Sequence, residues 1–321
     1  MKRRPLLALA GLSPLLAATP ARAFPDRTIT LIVPFAPGGS TDIAARFIAD
    51  RWAQRVGQRV LVENRAGAGG GIASEFVKRA APDGHVLLMA SASTHGVNPA
   101  VFSDLPYDAM ADFAPVALTG VTPMILMVPP QGVRDLEGLR ALLAAGRSHY
   151  ASAGVGSVNH LAAELLLARL GAKADHVPYR GGGPAMEAIA RGEVPWAFES
   201  LATVSGPARD GRVRLLGIAT AARSPSEPDL KTLAELGVAG VEVSTWNAVL
   251  APAGTPAARL DALASSLQAT LGEPDLVARL AQIGVAVPPP TGPAATARFI
   301  AADIAKFRAV AEAAGVKLER P

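Results

Sequence analysis

Short β-rich segments alternate with amphipathic segments along most of the chain, and glycine-rich turns join them. In residues 41–56, Ala44, Ile48 and Trp52 recur at helical spacing and form one apolar stripe. Residues 28–33 before them are mostly β-branched or apolar and end at a proline, which is typical of a buried strand. The first part of the chain therefore predicts strands over residues 28–33, 59–63 and 86–90 and helices over residues 41–56 and 72–81.

The same alternation resumes after residue 123 and then gives way to helices. The predicted strands are 124–128, 149–152, 176–179, 194–198, 214–219 and 242–250, and the helices between them are 136–145, 159–170, 184–191 and 203–209. The last part of the chain is predicted to be helical, over 256–271, 274–283 and 294–314. Strands that alternate with helices favour an α/β fold in which helices flank a mainly parallel sheet.

The chain contains two such α/β units, which we expect to form two lobes. The second unit begins near Met124 and closes near Trp246. The terminal helices have no strands of their own to cover, so we expect them to return to the first unit. The predicted lobes are residues 24–123 with 247–321, and residues 124–246. Two crossover strands join them as a hinge beside a cleft.

Residues 1–23 have the layout of a cleaved signal peptide. A basic start precedes a short apolar run over residues 5–18 and a small-x-small site that ends at Ala23. The apolar run is shorter than the roughly 20 residues that a membrane-spanning helix needs. We therefore expect export and cleavage after Ala23. Arg3 and Arg4 leave general secretion and twin-arginine export both open.

Charge and composition exclude several classes of function. The formal net charge is +4, but residues 1–23 carry four basic and no acidic residues, so the remainder of the chain is neutral. A neutral net charge argues against nucleic-acid binding, which is typical of proteins with a basic face. The sequence has no cysteine, which excludes disulfides, cysteine nucleophiles and thiolate metal or iron–sulfur sites.

The strongest candidate for chemistry is the turn at residues 35–42, Phe-Ala-Pro-Gly-Gly-Ser-Thr-Asp. A strand ends here, two glycines permit a tight backbone, and a helix begins. Free N–H groups at a helix N-terminus form an anion site, with Ser40 or Thr41 as the predicted N-cap. Asp42 lies in the first helical turn, where the helix dipole stabilises a carboxylate. A capped turn without a ligand is the alternative, but Phe35 and Pro37 add apolar groups that a turn does not need, which favours ligand contact.

Three more glycine-rich loops precede predicted helices, at residues 66–71, 152–160 and 179–184. Each loop alone could be an ordinary turn. Together with residues 35–42 they stand at the carboxyl ends of predicted strands, where open α/β sheets bind ligands. The polar segment 93–99 follows another strand and is a further candidate. We expect these loops to meet at a ligand-binding cleft.

No catalytic or metal-binding motif is present in the sequence. Dinucleotide-binding, P-loop and nucleophile-elbow patterns are absent, and the five histidines lack zinc-site spacing. His95 and His160 either bind a ligand or orient their loops. Glu199 either accepts a hydrogen bond from a ligand amine or hydroxyl, or caps the helix from Thr203. Arg180 either pairs with an anion or is solvated.

The combination of these segments resembles the tripartite tricarboxylate transporter substrate-binding proteins, the Bug/TctC family. The resemblance covers essentially the whole chain after residue 23, and its segments are 24–29, 33–42, 62–70, 81–85, 95–99, 154–161 with Glu164, and 177–181. It implies a two-lobe, type II-like periplasmic binding protein that closes on a small organic acid. In the family, loop backbone groups and ordered waters hold the ligand carboxylate. The two gripping loops correspond to residues 35–42 and 154–160.

These observations together give the candidate binding residues and partners. The candidate ligand-binding residues are Phe35, Pro37, Gly38, Gly39, Ser40, Asp42, Thr94, His95, Ser152, Gly154, Gly156, Ser157, Asn159, His160, Tyr179, Arg180, Gly181 and Glu199. We expect a small carboxylate-bearing metabolite as ligand and the membrane subunits of a tripartite tricarboxylate transporter as partner. We also expect a monomer that uses no metal, cofactor, nucleic acid or catalytic residue.

Two positions depart from the family pattern. The family usually carries Asp in the strand after Gly-x-Val, where this chain has Pro195, and Asp where Glu199 stands. The longer side chain makes position 199 a candidate determinant of ligand selectivity. Two other functions stay open: a periplasmic sensor module that signals to a membrane partner, and a secreted hydrolase or isomerase that uses Asp42, Glu199 or a histidine.

Overall fold

The computed structural model describes residues 24–146, 148–289, 292–313 and 315. The predicted signal peptide and its cleavage site lie outside these residues. The strands are β1 (Ile29–Val33), β2 (Val60–Asn64), β3 (Val86–Ser91), β4 (Phe113–Val128), β5 (His149–Ser152), β6 (Asp175–Pro178), β7 (Ala197–Ser200), β8 (Arg214–Ile218) and β9 (Ser244–Pro252). The helices are α1 (Ser40–Val56), α2 (Gly71–Lys78), α3 (Asn98–Val101), α4 (Leu136–Ala144), α5 (Val158–Leu170), α6 (Gly182–Ala190), α7 (Leu201–Arg209), α8 (Ala257–Leu271), α9 (Pro274–Gln282) and α10 (Pro293–Ala313).

The strands form one mixed sheet in the order β2-β1-β3-β9-β4-β7-β5-β6, with β8 also paired to β4. β1 pairs in parallel with β2 and with β3, and β3 pairs antiparallel with β9. β1 and β3 are almost wholly buried. Parallel strands that are covered on both faces have nearly continuous apolar sequences, as these do. The predicted α/β class is confirmed.

Two long strands, β4 and β9, carry the chain between the two ends of the sheet. The first part of β4 pairs antiparallel with β9 as far as Pro123, which lies opposite Ser244. From Met124 onward β4 pairs instead with β7 and β8, and β7 continues in parallel to β5 and then β6. We call the strands on the β9 side of this point the first sheet half and those on the β7 side the second sheet half. The exchange of partners falls beside the predicted lobe boundaries, and the division into two moving lobes stays a prediction.

The first sheet half is covered by α1 and by helices from the end of the chain. Ala44, Ile48 and Trp52 of α1 are buried in one apolar cluster, so the predicted stripe is confirmed. Trp52 Nε1 donates a 3.0 Å hydrogen bond to Ser266 Oγ of α8, and Leu267 of α8 belongs to the same cluster. The end of the chain therefore packs against its beginning. Every described helix is too short or too polar to span a bilayer.

The predicted strand 124–128 is only the end of the 16-residue strand β4. Pro115, Gly120 and Pro123 precede it, and such residues disfavour a strand interior. The pairing with β9 accommodates the first two because its register shifts between Pro115 and Ala117 and again between Leu118 and Gly120. Bulges of this kind bend a strand without ending it.

The predicted strand 194–198 is displaced toward the C-terminus in the structure. β7 begins at Ala197 and includes Ser200. Pro195 has no N–H group to donate to a neighbouring strand, so pairing starts after it. Glu199 therefore lies inside β7, opposite Ile125 of β4, and not after the strand as predicted.

The apolar core of the first sheet half can be tested at Ile48, which is fully buried. Ile48→Ala should lower the free energy of unfolding by about 2–5 kcal/mol, because it removes buried methyl groups and leaves a cavity. The same change at Ile72 of α2, which is 50% exposed, should cost only about 0.5 kcal/mol. Urea unfolding followed by circular dichroism measures both. Equal losses would contradict this placement of the core.

Candidate functional site

Three helices direct their N-termini at one small cavity between the two sheet halves. α1 begins at Ser40, α5 at Val158 and α6 at Gly182, and all three residues line the cavity. Its walls are Phe35, Gly39, Ser40, Thr41, Ser91, Ser93, Met124, Ala153, Val158, Asn159, Gly182, Glu199, Ser200 and Thr245. The space open to the centre of a water molecule is about 20 Å³. The first N–H groups of a helix have no intrahelical partner and carry partial positive charge, so the cavity suits an anion.

Asp42 stabilises the turn at residues 35–42 by hydrogen bonds made outside the cavity. Its Oδ2 accepts hydrogen bonds from Gly38 N at 3.0 Å and from Arg46 Nε at 3.1 Å, and its Oδ1 accepts one from Asn64 Nδ2 at 2.9 Å. Burial acts to raise the pKa of Asp42, but these hydrogen bonds and the Arg46 charge hold it below its usual value. Asp42 is therefore an ionised residue that shapes the turn and does not line the cavity.

The predicted N-cap of α1 was wrong. Gly39 occupies the N-cap position with an extended backbone, and Ser40 is the first helical residue. Thr41 lies within the first turn, where its Oγ1 accepts a 3.0 Å hydrogen bond from Asn247 Nδ2. Because no side chain caps α1, its N-terminus faces the cavity through backbone groups.

Loop 154–160 of the second sheet half is held by hydrogen bonds to its own side chains. Ser157 is the N-cap of α5, and its Oγ accepts a hydrogen bond from His160 N at 3.2 Å. His160 Nδ1 in turn accepts from Gly156 N at 3.4 Å. The His160 ring stacks on His176 with 3.8 Å between centroids. Burial, together with the neighbouring His176, lowers the pKa of His160 to about 3, so this residue orients the loop as a neutral ring.

Glycines let the two sides of the cavity touch through their backbones. Ala36 N in the turn at residues 35–42 donates a 2.9 Å hydrogen bond to Arg180 O, just before α6. A Cβ atom on Gly183 would lie 2.5 Å from the carbonyl oxygen of Pro37. No side chain fits at that distance, so the start of α6 can approach the turn only because it is glycine.

Glu199 is the titratable side chain among the described residues that line the cavity, and it is 3% exposed. Its Oε2 accepts a 2.9 Å hydrogen bond from Asn159 Nδ2, and its Oε1 accepts a 2.8 Å bond from Ser200 N. Burial raises the pKa of Glu199 to about 7, although these hydrogen bonds act to lower it. Near neutral pH this carboxyl group is therefore divided between its charged and uncharged forms.

Only part of the predicted set lines the cavity. Phe35, Gly39, Ser40, Asn159 and Glu199 lie in its walls. The residues in the loops around it, which do not line it, are Pro37, Gly38, Asp42, Ser152, Gly154, Gly156, Ser157, His160, Tyr179, Arg180 and Gly181. The structure thus brings the loops together, while many of the predicted side chains shape those loops.

Thr94 and His95 lie away from the cavity, in a π-helical turn over Ser93–Val97. His95 is fully buried, and its ring packs edge-to-face on Phe113 with 4.8 Å between centroids. Burial lowers the pKa of His95 to about 3. His95 Nδ1 lies 2.9 Å from Thr94 Oγ1. These two residues therefore hold the turn in place, one of the two roles left open for His95. Within the described residues, no group of three or more acidic or histidine side chains could hold a metal ion.

Several lining residues were not among the predicted binding residues. They are Thr41, Ser91, Ser93, Met124, Ala153, Val158, Gly182, Ser200 and Thr245. Ser93 has a distinct part, because its Oγ accepts a 3.0 Å hydrogen bond from Val158 N and so joins the two sides. Ser91 ends β3, and the rule that ligands bind at the carboxyl ends of strands could have identified it. Met124 lies on β4 and Thr245 on β9, the two strands that run between the sheet halves. Nothing in the sequence around either residue predicts its place in the cavity.

The family model described as "Tripartite tricarboxylate transporter family receptor" matches residues 44–316 of the chain. An "UPF0065 protein in tcbD-tcbE intergenic region" of Pseudomonas sp. (strain P51) is 39% identical over 88% of this chain and 86% of the relative. Protein BugT of Bordetella pertussis is 36% identical over 98% of this chain and 96% of the relative. These matches span nearly the full length of both partners.

Solved structures of similar proteins share the fold. The structure of MatC from Rhodopseudomonas palustris with bound malate has a TM-score of 0.86 and 35% identity, and covers 89% of this chain and 99% of its own. R. palustris Rpa4515 with adipate has a TM-score of 0.87 and 32% identity, over 91% and 98%. The periplasmic binding protein BugD has a TM-score of 0.88 and 30% identity, over 92% and 99%.

The raised pKa of Glu199 predicts how its replacement changes the pH dependence of stability. Its ordinary value is 4.5, and in the folded protein the pKa is about 7. Between these values the folded state binds more protons than the unfolded state, so the free energy of unfolding falls as pH rises. The loss approaches about 3 kcal/mol above pH 7. Glu199→Gln should lack this loss. The melting temperature of the variant, relative to that of the wild type, should therefore rise as the pH increases from 4.5 to 8.

Glu193→Gln is the matched control for that comparison. Glu193 is exposed and pairs with Arg191, with 2.5 Å between Oε1 and Nε. Its melting temperature should stay parallel to that of the wild type from pH 5 to 8, because the pKa of Glu193 is lowered by Arg191 and its carboxylate stays ionised over that range. A constant offset between Glu199→Gln and the wild type at every pH would contradict the buried, titrating carboxyl group.

Proposed function

Because this chain belongs to the tripartite tricarboxylate transporter receptor family, whose relatives include periplasmic binding proteins, we propose that it captures a small carboxylate-bearing metabolite in the cavity between its two sheet halves. It would then deliver this ligand to the membrane subunits of a tripartite tricarboxylate transporter. The proposal includes export directed by residues 1–23, cleavage after Ala23, and action of the mature chain as a monomer in the periplasm.

The convergence of the N-termini of α1, α5 and α6 on one cavity is the observation that carries this proposal. A carboxylate placed there would accept hydrogen bonds from backbone N–H groups of both sheet halves. Each favourable helix terminus contributes up to about 2 kcal/mol in a partly buried site. Malate and adipate, the acids bound by the two R. palustris relatives, belong to this chemical class.

Closure of the two sides around the ligand would provide the mechanism. Loop 154–160 and the start of α6 face the turn at residues 35–42, and the hydrogen bond from Ala36 to Arg180 joins the two sides directly. A ligand that contacts both sides stabilises the closed form. The stabilisation equals the difference between its binding free energies to the closed and the open forms. Acids the size of malate need more room than the present cavity offers, so we expect the loops to part for entry and close again.

We propose that the ligand leaves this site unchanged. Asp42 is committed to Arg46 and Asn64, and His160 is committed to its own loop. Glu199 is held by hydrogen bonds from Asn159, Ser200 and Thr203, and the Ser200 and Thr203 hydroxyl groups lie 3.0 Å apart, within hydrogen-bonding distance of each other. These commitments support binding and transport over hydrolysis or isomerisation.

Isothermal titration calorimetry with a panel of organic acids tests the ligand class. Purified protein should bind at least one mono-, di- or tricarboxylate with a single site and micromolar or better affinity, which corresponds to about 8 kcal/mol. The matching amide, with the same shape and no charge, should not bind measurably. Equal binding of acid and amide, or no binding of any acid, would contradict the proposal. Loss of uptake in a strain that lacks the protein would test delivery.

A side chain at Gly39 should weaken binding. The Cβ position of Gly39 lies 3.4 Å from Gly182 N and 3.5 Å from Gly183 N, so Gly39→Val would hold α1 and α6 apart. We expect affinity for the best acid of the panel to fall at least tenfold, with an unchanged melting temperature. Gly206→Val on α7 is the control, because nothing lies within 4 Å of its Cβ position. Equal affinities of the two variants would count against closure at this seam.

A further inference from the structure

The structure places an acidic side chain, without a cation beside it, in the cavity proposed to receive a carboxylate. From this geometry we propose that ligand capture takes up one proton from solvent, which resides on Glu199 so that the uncharged carboxyl group donates a hydrogen bond to the bound acid. The inference rests on the proposed function and deepens it, because it names a proton as the co-ligand. No other bond forms or breaks.

An acid bound in this small cavity would lie close to Glu199, which forms part of its wall. Its carboxyl group lies against Gly182, the first residue of α6: a Cβ on Gly182 would lie 2.4 Å from Oε2. The α6 N-terminus that would attract the ligand carboxylate is therefore the terminus that Glu199 touches. The donors to its oxygens, which come from Asn159, Ser200 and Thr203, are all uncharged. Two carboxylates in one small buried cavity repel each other, which favours protonation of one of them.

Charged groups on the surrounding elements are engaged elsewhere. β4 places an apolar residue, Ile125, opposite Glu199. The titratable residues near Glu199 on the packed elements are engaged with other partners: Asp42 with Arg46, His149 with the Glu193 carbonyl, Tyr150 with Glu164, His160 with Gly156, and Glu187 with Arg212. Arg169 and Arg209 are exposed in the last turns of α5 and α7. No described side chain therefore supplies the missing positive charge.

The cost of this proton is small near neutral pH. Because burial places the pKa of Glu199 at about 7, half of the molecules carry the proton at that pH before any ligand arrives. Above pH 7, each further pH unit reduces the proton-bound fraction about tenfold. The apparent affinity for a dicarboxylate should fall in the same proportion.

Calorimetry across pH, in pairs of buffers with different ionisation enthalpies, measures the proton directly. Malate and adipate are the probes. The wild-type protein should take up close to one proton per bound acid at pH 8.5 and far less at pH 5.5, and Kd should rise about tenfold between pH 7.5 and 8.5. Glu199→Gln should bind the same acids with a pH-independent Kd and no comparable proton uptake. Glu193→Gln, at an exposed carboxylate, should behave like the wild type.

Each outcome separates this inference from the proposed function. Wild-type binding without proton uptake, at constant Kd from pH 6 to 8.5, would overturn the inference and leave carboxylate capture standing. Binding of amino acids in preference to simple diacids, lost in Glu199→Gln, would overturn it in favour of an ammonium group that pairs with an ionised Glu199. Failure of the wild type to bind any carboxylate at any pH would overturn both. The wild-type proton count decides the matter even where the variant does not fold.

Discussion

The candidate site depends most on one close approach, in which the backbone at the start of α1 meets the backbone at the start of α6. Gly39 and Gly183 permit this contact, and the hydrogen bond from Ala36 to Arg180 fixes it. Only with the two sheet halves this close do three helix N-termini share one cavity. A negatively charged ligand in that cavity then interacts with helix N-termini from both sheet halves. This shared attraction is the physical basis for closure.

The charged residues around the cavity are divided between two tasks. Asp42 is ionised and tied to Arg46 and Asn64, so it shapes the turn. Glu199 faces the cavity without a cation and titrates near neutral pH. A buried carboxyl group of this kind is costly to the fold and is typical of a functional site. The proposed role of Glu199 as proton acceptor explains why a carboxyl group is buried there although its burial destabilises the fold.

The sequence predicts the local elements of this chain better than their assembly. The stripe of Ala44, Ile48 and Trp52 identifies α1 because its burial depends on helical spacing alone. β4 was recognised only at its end, since prolines and glycine conceal a strand whose bulges are set by its pairing with β9. In the site, the turn at residues 35–42 and Glu199 carry local signals. Met124 and Thr245 enter the cavity only because two distant strands cross there, which no local pattern contains.

A crystal structure of the protein with malate or adipate bound would test the central claim most directly. The account predicts that one carboxylate of the acid lies between the N-termini of α1 and α6, within hydrogen-bonding distance of backbone N–H groups from both sheet halves or of waters held by them. An acid that contacts one sheet half alone, or that lies outside this cavity, would contradict it.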